Sequence, residues 1–228
     1  MKRFDWSKEA AVLWDDQADF WNKRSKNMWE SGSRHQIVPF IKKHSKPNCQ
    51  QLLDIGCGDG YGAYKLYKEG YRVTGMDLSK KMIDYAQSQL PDEITFIHGD
   101  INQLPFDDSA MDGIMAINVL EWTENPDKAL DELKRVVRED GFLCVGILGP
   151  TAGPRLNSFP RLHNQKSICN TMMPWEFQKL CEEKGLQYMD GYGVYKQGVN
   201  KVHYNDLPLE LKQALSFSWI FLMRNVGE

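Results

Sequence analysis

Apolar positions change their spacing repeatedly along this 228-residue chain, and each change marks an element. Residues 52–55 read as a short strand, apolar but for Asp54. Residues 61–69 switch to helical spacing, with Gly70 placed to stop them. The alternation then repeats. Residues 71–76 read as a strand, and 80–90 as a helix capped by Ser79 and ended by Pro91. Residues 94–98 and 112–117 read as strands. Residues 126–137 read as a helix whose Ala129, Leu130, Leu133, Val136 and Val137 share one face. Asp140-Gly141 reads as a turn into the apolar strand 142–148. Five strands joined by helical crossovers predict an α/β fold with a doubly wound, mostly parallel sheet. Ligands of such sheets bind beyond the carboxyl ends of the strands.

Both flanks depart from this rhythm. Before residue 49, Trp6, Trp14, Phe20, Trp21 and Trp29 recur at rough helical spacings among charged residues, which predicts one or two amphipathic helices. The indoles either pack these helices onto the domain or wall a site with flat apolar faces. Ser31-Gly32-Ser33-Arg34 is a break, and 33–44 read as a further helix closed by Pro47. After residue 148 comes the long aperiodic stretch 149–173, with three prolines and two arginines; so long a loop in a compact domain is functional or disordered. Residues 174–184 read as a helix, 186–195 as a strand, 196–207 as a polar loop, 208–215 as a short helix and 218–224 as a strand. The whole is expected to be a seven-stranded, Rossmann-like sheet with an antiparallel last strand. A helical cap over 1–48 precedes a domain over 49–228, with substrate loops at 149–173 and 196–207.

Composition narrows the partners. A 42% hydrophobic content supports a sizeable core, and a net charge of −3 argues against nucleic acid as a partner. The five cysteines are odd in number and form no CxxC pair, which predicts reduced thiols and no metal set. The opening MKRFDWSKEAAV is charged and has no apolar core, so it reads as no secretory signal. No run reaches the ~18 apolar residues of a membrane span. Together these predict a cytoplasmic protein, and they leave its oligomeric state open.

The chemistry concentrates at Gln51–Gly62, QLLDIGCGDGYG, where a strand ends in an acid and a glycine turn leads to a helix. Such a turn brings backbone N–H groups and a helix N-terminus against a ligand. A side chain at Gly56 is therefore expected to abolish binding while leaving most of the fold. A dinucleotide fingerprint threads through Gly58, Gly60 and Ala63, with Asp77 at 19 residues from Gly58, so an NAD(P)-dependent oxidoreductase is one reading. Against it, the turn begins at Gly56, and from there the third glycine position falls on Tyr61. Asp54 at the strand end repels a pyrophosphate but suits a ligand carrying an ammonium and a sulfonium.

DIGCGDG at 54–60 resembles the first motif of class I S-adenosylmethionine-dependent methyltransferases. GMDLS at 75–79 resembles their second motif and HGDINQLPF at 98–106 their third. FDDSAMDGIMAINVLEWTENPDKALDELKRVVREDGFL, from Phe106, is similar to the fourth strand and helix of the small-molecule branch that includes ubiquinone and menaquinone biosynthesis enzymes. The likeness covers about residues 50–150. It implies S-adenosylmethionine as cofactor and in-line transfer of its methyl to a small-molecule acceptor. It also implies roles. Gly56, Cys57 and Gly58 would present backbone to the methionine part, and Asp77 would take the ribose hydroxyls. Leu78 and Met82 would flank the adenine, Asp100 would take its amino group, Ile101 would pack on the ring, and Asn118 would lie by the sulfonium. The related enzymes often carry histidine where Trp122 stands, so no role of that histidine transfers.

Other candidates come from the residues themselves. Arg34, at a helix start, could pair with the cofactor carboxylate. His163 and His203 are the candidate general bases, with Tyr192, Tyr195 and Tyr204 behind them. Arg155 and Arg161 could recognise an anionic acceptor. Cys57 reads as a small filler of the turn, since no base is positioned to activate it. A cofactor-binding regulator without catalysis is the remaining alternative.

Overall fold

A computed structural model describes residues 4–227; the charged Met1-Lys2-Arg3 opening lies outside them. Seven strands make one sheet: β1 (Gln51–Ile55), β2 (Arg72–Asp77), β3 (Thr95–His98), β4 (Met111–Ile117), β5 (Val137–Leu148), β6 (Leu186–Val194) and β7 (Ser218–Asn225). Their order is β3-β2-β1-β4-β5-β7-β6. β1 to β5 pair in parallel, and β7 runs antiparallel to both β5 and β6. The doubly wound sheet with an antiparallel last strand is thus the observed architecture. The helices are α1 (Trp6–Glu30), α2 (Ile37–His44), α3 (Tyr61–Lys68), α4 (Lys80–Gln89), α5 (Pro126–Val136), α6 (Pro174–Glu183), α7 (Lys201–Tyr204) and α8 (Leu209–Leu215). Among the described residues no helix is long and apolar enough to cross a membrane.

Each face of the sheet buries its own apolar cluster. Successive strand residues point to opposite faces. Leu52 accordingly packs with Ile41, Leu66 and Ile83 of α2, α3 and α4. Leu53 and Ile55 pack with Leu130 and Leu133 of α5 and Phe177 of α6 on the other side. The same period puts Asp54 on the side of Leu52, beneath α3, where it is 3% exposed. The helices start where the sequence supplies caps. Ser79 Oγ accepts the Met82 N–H at 3.1 Å, and Asn125 accepts the Lys128 N–H at 3.0 Å ahead of Pro126.

One feature settles an open point in the reading of the chain, and three differ from it. The N-terminal tryptophans lie on a single 25-residue helix, because no breaker falls between the Asp5 cap and Ser31-Gly32. Asp140-Gly141 is not a turn outside the strand but a kink within β5. Asp140 takes φ +62° there, and the pairing with β4 shifts between Met111 and Gly113. The stretch 149–173 holds a 3-10 helix over Gly153–His163. Arg155 pins it by donating to the carbonyls of Gly149 at 3.0 Å, Met172 at 2.7 Å and Leu148. The polar loop after residue 195 contains α7.

α1 crosses the carboxyl ends of the strands and is held by side chains at several points along its length. Asp15 accepts from Ser79 Oγ at 2.5 Å and from the Lys81 N–H at 3.2 Å. Asn22 and Ser25 donate to Asp59 at 3.1 and 2.6 Å. Trp29 lies against Gly62 of α3, where an added Cβ would stand 2.4 Å from Trp29 Cζ2. Helix propensity favours alanine over glycine by about 1 kcal/mol. Overpacking costs about 1–3 kcal/mol, so Gly62→Ala is expected to lower stability on balance in urea denaturation. A variant as stable as the wild type would contradict this docking of α1.

Candidate functional site

A cavity opens over the carboxyl ends of β1, β2 and β4, where the strand order reverses between β1 and β4. Its floor is the turn after β1. Gly56, Gly58 and Gly60 all take positive φ, at +64°, +56° and +78°, which favours glycine. The Gly56 and Cys57 amides both donate to the Met76 carbonyl, at 2.8 and 3.1 Å, and tie the turn to β2. The two inner glycines then differ. A Cβ at Gly56 would lie 2.3 Å from Val119 Cγ2, whereas at Gly58 the nearest atom is Met82 Sδ at 4.0 Å. Gly58 is the one that leaves the cavity open. Gly56 is required by the fold, which corrects the expectation that its substitution would spare the structure.

The acids sit where the strands end. Asp77 accepts the Gly58 N–H at 2.8 Å with one oxygen and the Ser79 N–H at 2.8 Å with the other. Burial pushes its carboxyl above the ordinary range against these two bonds. Asp100 accepts Ser7 Oγ at 2.7 Å and the Asn102 backbone and side-chain amides at 2.9 and 2.8 Å. Leu78, Met82, Ile101 and Asn118 line the same cavity, with Arg34, Gly56, Cys57, Gly58, Asp77 and Asp100. Asn118, at φ +57°, donates to Ser218 Oγ at 3.1 Å. Arg34 lies over the Trp29 ring at 5.6 Å, and burial lowers its guanidinium while Asp54 and Asp59 pull it back up.

Asp54 is not on the cavity wall. Its carboxyl lies under the turn with one oxygen unpartnered, and burial pushes it up to about 8, against the pull of Arg34 and of the Ala63 N–H. Cys57 is a buried thiol raised well above its ordinary value by burial and the nearby acids, which suits a filler. The structure does not bring His163 or His203 to the cavity; both are exposed elsewhere on the surface. Tyr192, Tyr195 and Tyr204 also lie outside it. Arg155 is buried on backbone carbonyls, and Arg161 is exposed, donating to Ser158.

Asp59 and Glu121 escaped the reading of the sequence, and the indoles, which it left between packing and wall, divide between the two. Asp59 lies on the wall with its oxygens on Ser25 and Asn22, and burial raises it. Trp6, Trp14, Trp21 and Trp122 line the end beyond Asn118, while Trp29 is core. Trp122 donates to the Asn118 carbonyl at 2.7 Å and accepts Trp6 Nε1 on its own carbonyl at 2.5 Å. Glu121 is fully buried. One of its oxygens takes the Leu148 N–H, and burial raises it against the pull of that bond and of Arg155. The indole spacing was the only signal for the wall. Nothing in the sequence pairs Glu121 with a loop thirty residues on.

Comparison with known proteins identifies the family and the fold. A methyltransferase-domain family matches residues 53–145. A demethylmenaquinone methyltransferase from Chlamydia felis is 31% identical over 171 residues, covering 74% of this chain and 70% of that protein. The biotin biosynthesis bifunctional protein BioHC of Teredinibacter turnerae is 28% identical over 171 residues, covering 69% of this chain but only 29% of its own length. In fold, an S-adenosylmethionine-dependent methyltransferase structure from Mesorhizobium loti matches with a TM-score of 0.65 at 16% identity, over 86% of this chain and 99% of that one. The chain belongs to the S-adenosylmethionine-dependent methyltransferases.

The buried acid under the turn makes a prediction. Asp54 has its folded pKa raised from an ordinary 3.8 to about 8. The stability it contributes is therefore fully present below its ordinary pKa and is lost as pH rises toward the folded one. Asp54→Asn removes that titration. Urea denaturation is expected to show the variant gaining about 1 kcal/mol or more on the wild type between about pH 5 and about pH 8. Parallel pH profiles would place the carboxyl in water.

Proposed function

We propose that this chain is an enzyme that transfers a methyl group from S-adenosylmethionine to a small-molecule acceptor. The observation that carries the reading is Asp77, whose carboxylate is fixed by the Gly58 and Ser79 amides beside the open face of the turn. A carboxylate offers about four lone-pair positions, so room remains for the paired hydroxyls of a ribose. Gly58 has no Cβ to fill the adjoining space. The residues present therefore fit this cofactor.

Leu78, Met82 and Ile101 would flank the adenine, and Asp100 would accept its amino group in place of the Ser7 hydroxyl. The backbone of Gly56, Cys57 and Gly58 would carry the methionine part, with Arg34 facing its carboxylate. Asn118 would stand beside the sulfur. S-adenosylmethionine supplies a methyl carbon that is already electrophilic and a thioether leaving group. What remains for the protein is to align the acceptor and keep water out. α1, lying across the cavity with Trp6, Trp14 and Trp21 turned into it, is placed to do both. Five unpaired cysteines, four of them buried, support a reducing, cytoplasmic location.

Isothermal titration tests the reading. S-adenosylhomocysteine is expected to bind, Asp77→Ala to weaken it by about 1.5 kcal/mol or more, and NAD to give no binding heat. NAD binding, or an unchanged affinity in the variant, would contradict the assignment.

A further inference from the structure

The end of the cavity beyond Asn118 has a chemistry of its own. It belongs to a third apolar cluster in which Trp14 and Phe217 pack on Trp122, Leu148 and Ala152. The ring centroid of Trp14 lies 5.1 Å from that of Trp122 with the planes at 74°, and 6.4 Å from that of Trp21 at 53°. Indole faces at steep angles to one another thus bound this end.

Charge and proton chemistry are confined to the other end. Among the described residues the cavity is lined by Asp59, Asp77, Asp100 and one guanidinium, Arg34, and by no histidine, lysine, glutamate or tyrosine. Asp77 and Asp100 have their oxygens on Gly58, Ser79, Ser7 and Asn102. Thr123, the hydroxyl at the indole end, donates to the Leu120 carbonyl at 3.1 Å. An acceptor that must shed a proton as its new bond forms meets no side chain there to receive it. An anionic acceptor meets a cavity with more carboxylates than cations, since Arg155 is spent on backbone carbonyls. A cation, by contrast, is favoured both by the acids and by indole faces, which attract cations through their π-systems.

We infer that the acceptor is a neutral, apolar thioether or a weakly basic aromatic tertiary amine, unprotonated at neutral pH, and that the indole wall holds its methylated product as an onium cation; this rests on the methyltransferase reading above. The acceptor's lone pair forms the new bond to the methyl carbon as the carbon–sulfur bond breaks, and that bond's electrons stay on sulfur. The positive charge passes from the sulfonium to the acceptor, and no proton has to leave. The step is balanced without a base, which is what the wall lacks.

Binding of a product mimic tests this without turnover. With S-adenosylhomocysteine saturating the protein, benzyltrimethylammonium is to be compared by tryptophan fluorescence and calorimetry with its neutral isostere neopentylbenzene and with phenylacetate. The ammonium is expected to bind about tenfold tighter than either. Trp14→Leu is expected to remove most of that preference, Trp14→Phe to keep part of it, and both to bind S-adenosylhomocysteine as the wild type does, which also reports that they fold. Equal affinities for the ammonium and the isostere, or tightest binding of phenylacetate, would overturn the inference while leaving the methyltransferase reading intact. Failure of the wild type to bind S-adenosylhomocysteine would overturn that reading, and the inference with it.

Discussion

The carboxylate of Asp77 takes the Gly58 amide on one oxygen and the Ser79 amide on the other, each at 2.8 Å. That pair of bonds joins the turn after β1 to the start of α4 through the last residue of β2. Much of the site depends on it. With Gly58 anchored there, and Gly56 and Cys57 held on the Met76 carbonyl, the turn's path is fixed, and its positive φ angles restrict it to glycine. With Ser79 anchored, its side chain can cap α4 and reach Asp15 on α1. One carboxylate thus shapes the floor, sets a helix that bounds one side and fastens the helix that covers the top.

The cost of that arrangement is desolvation. Asp54, Asp59 and Asp77 are gathered in one small volume, and burial raises all three carboxyls. Arg34 is the nearby cation that answers Asp54 and Asp59. Carboxyls crowded and desolvated in this way are the pattern expected at a functional site. The opposite end spends apolar surface instead. There Trp122 serves both purposes: its ring is wall, and its indole N–H and carbonyl tie Asn118 to Trp6.

The central fold was legible because its signals are local. Leu52, Leu53 and Ile55 declare a buried strand, Ser79 declares a helix start, and Gly70, with φ of +92°, declares a helix end. The strand-end acid Asp77 and the glycine turn were legible for the same reason, while Leu78, Met82 and Ile101, named only through the family resemblance, line the cavity. What escaped depends on contacts between distant segments. Asp54 reads like a ligand-facing acid, yet the two-residue period of β1 turns it under α3. His163 and His203 read like free bases, but their loops carry them away from the cavity. Gly56 and Gly58 look alike in the chain, and only Val119, on the segment after β4, tells them apart. The tryptophans of α1 divide between wall and core by helical phase, and their spacing alone did not say which face would meet the sheet.

The most direct measurement is a crystal structure of the protein with S-adenosylhomocysteine bound. Both ribose hydroxyls are expected on the Asp77 carboxylate, the adenine between Leu78, Met82 and Ile101, and the sulfur beside Asn118 facing the indoles of Trp14 and Trp122. A ligand whose adenine occupied the indole end, or whose ribose stood away from Asp77, would contradict this placement.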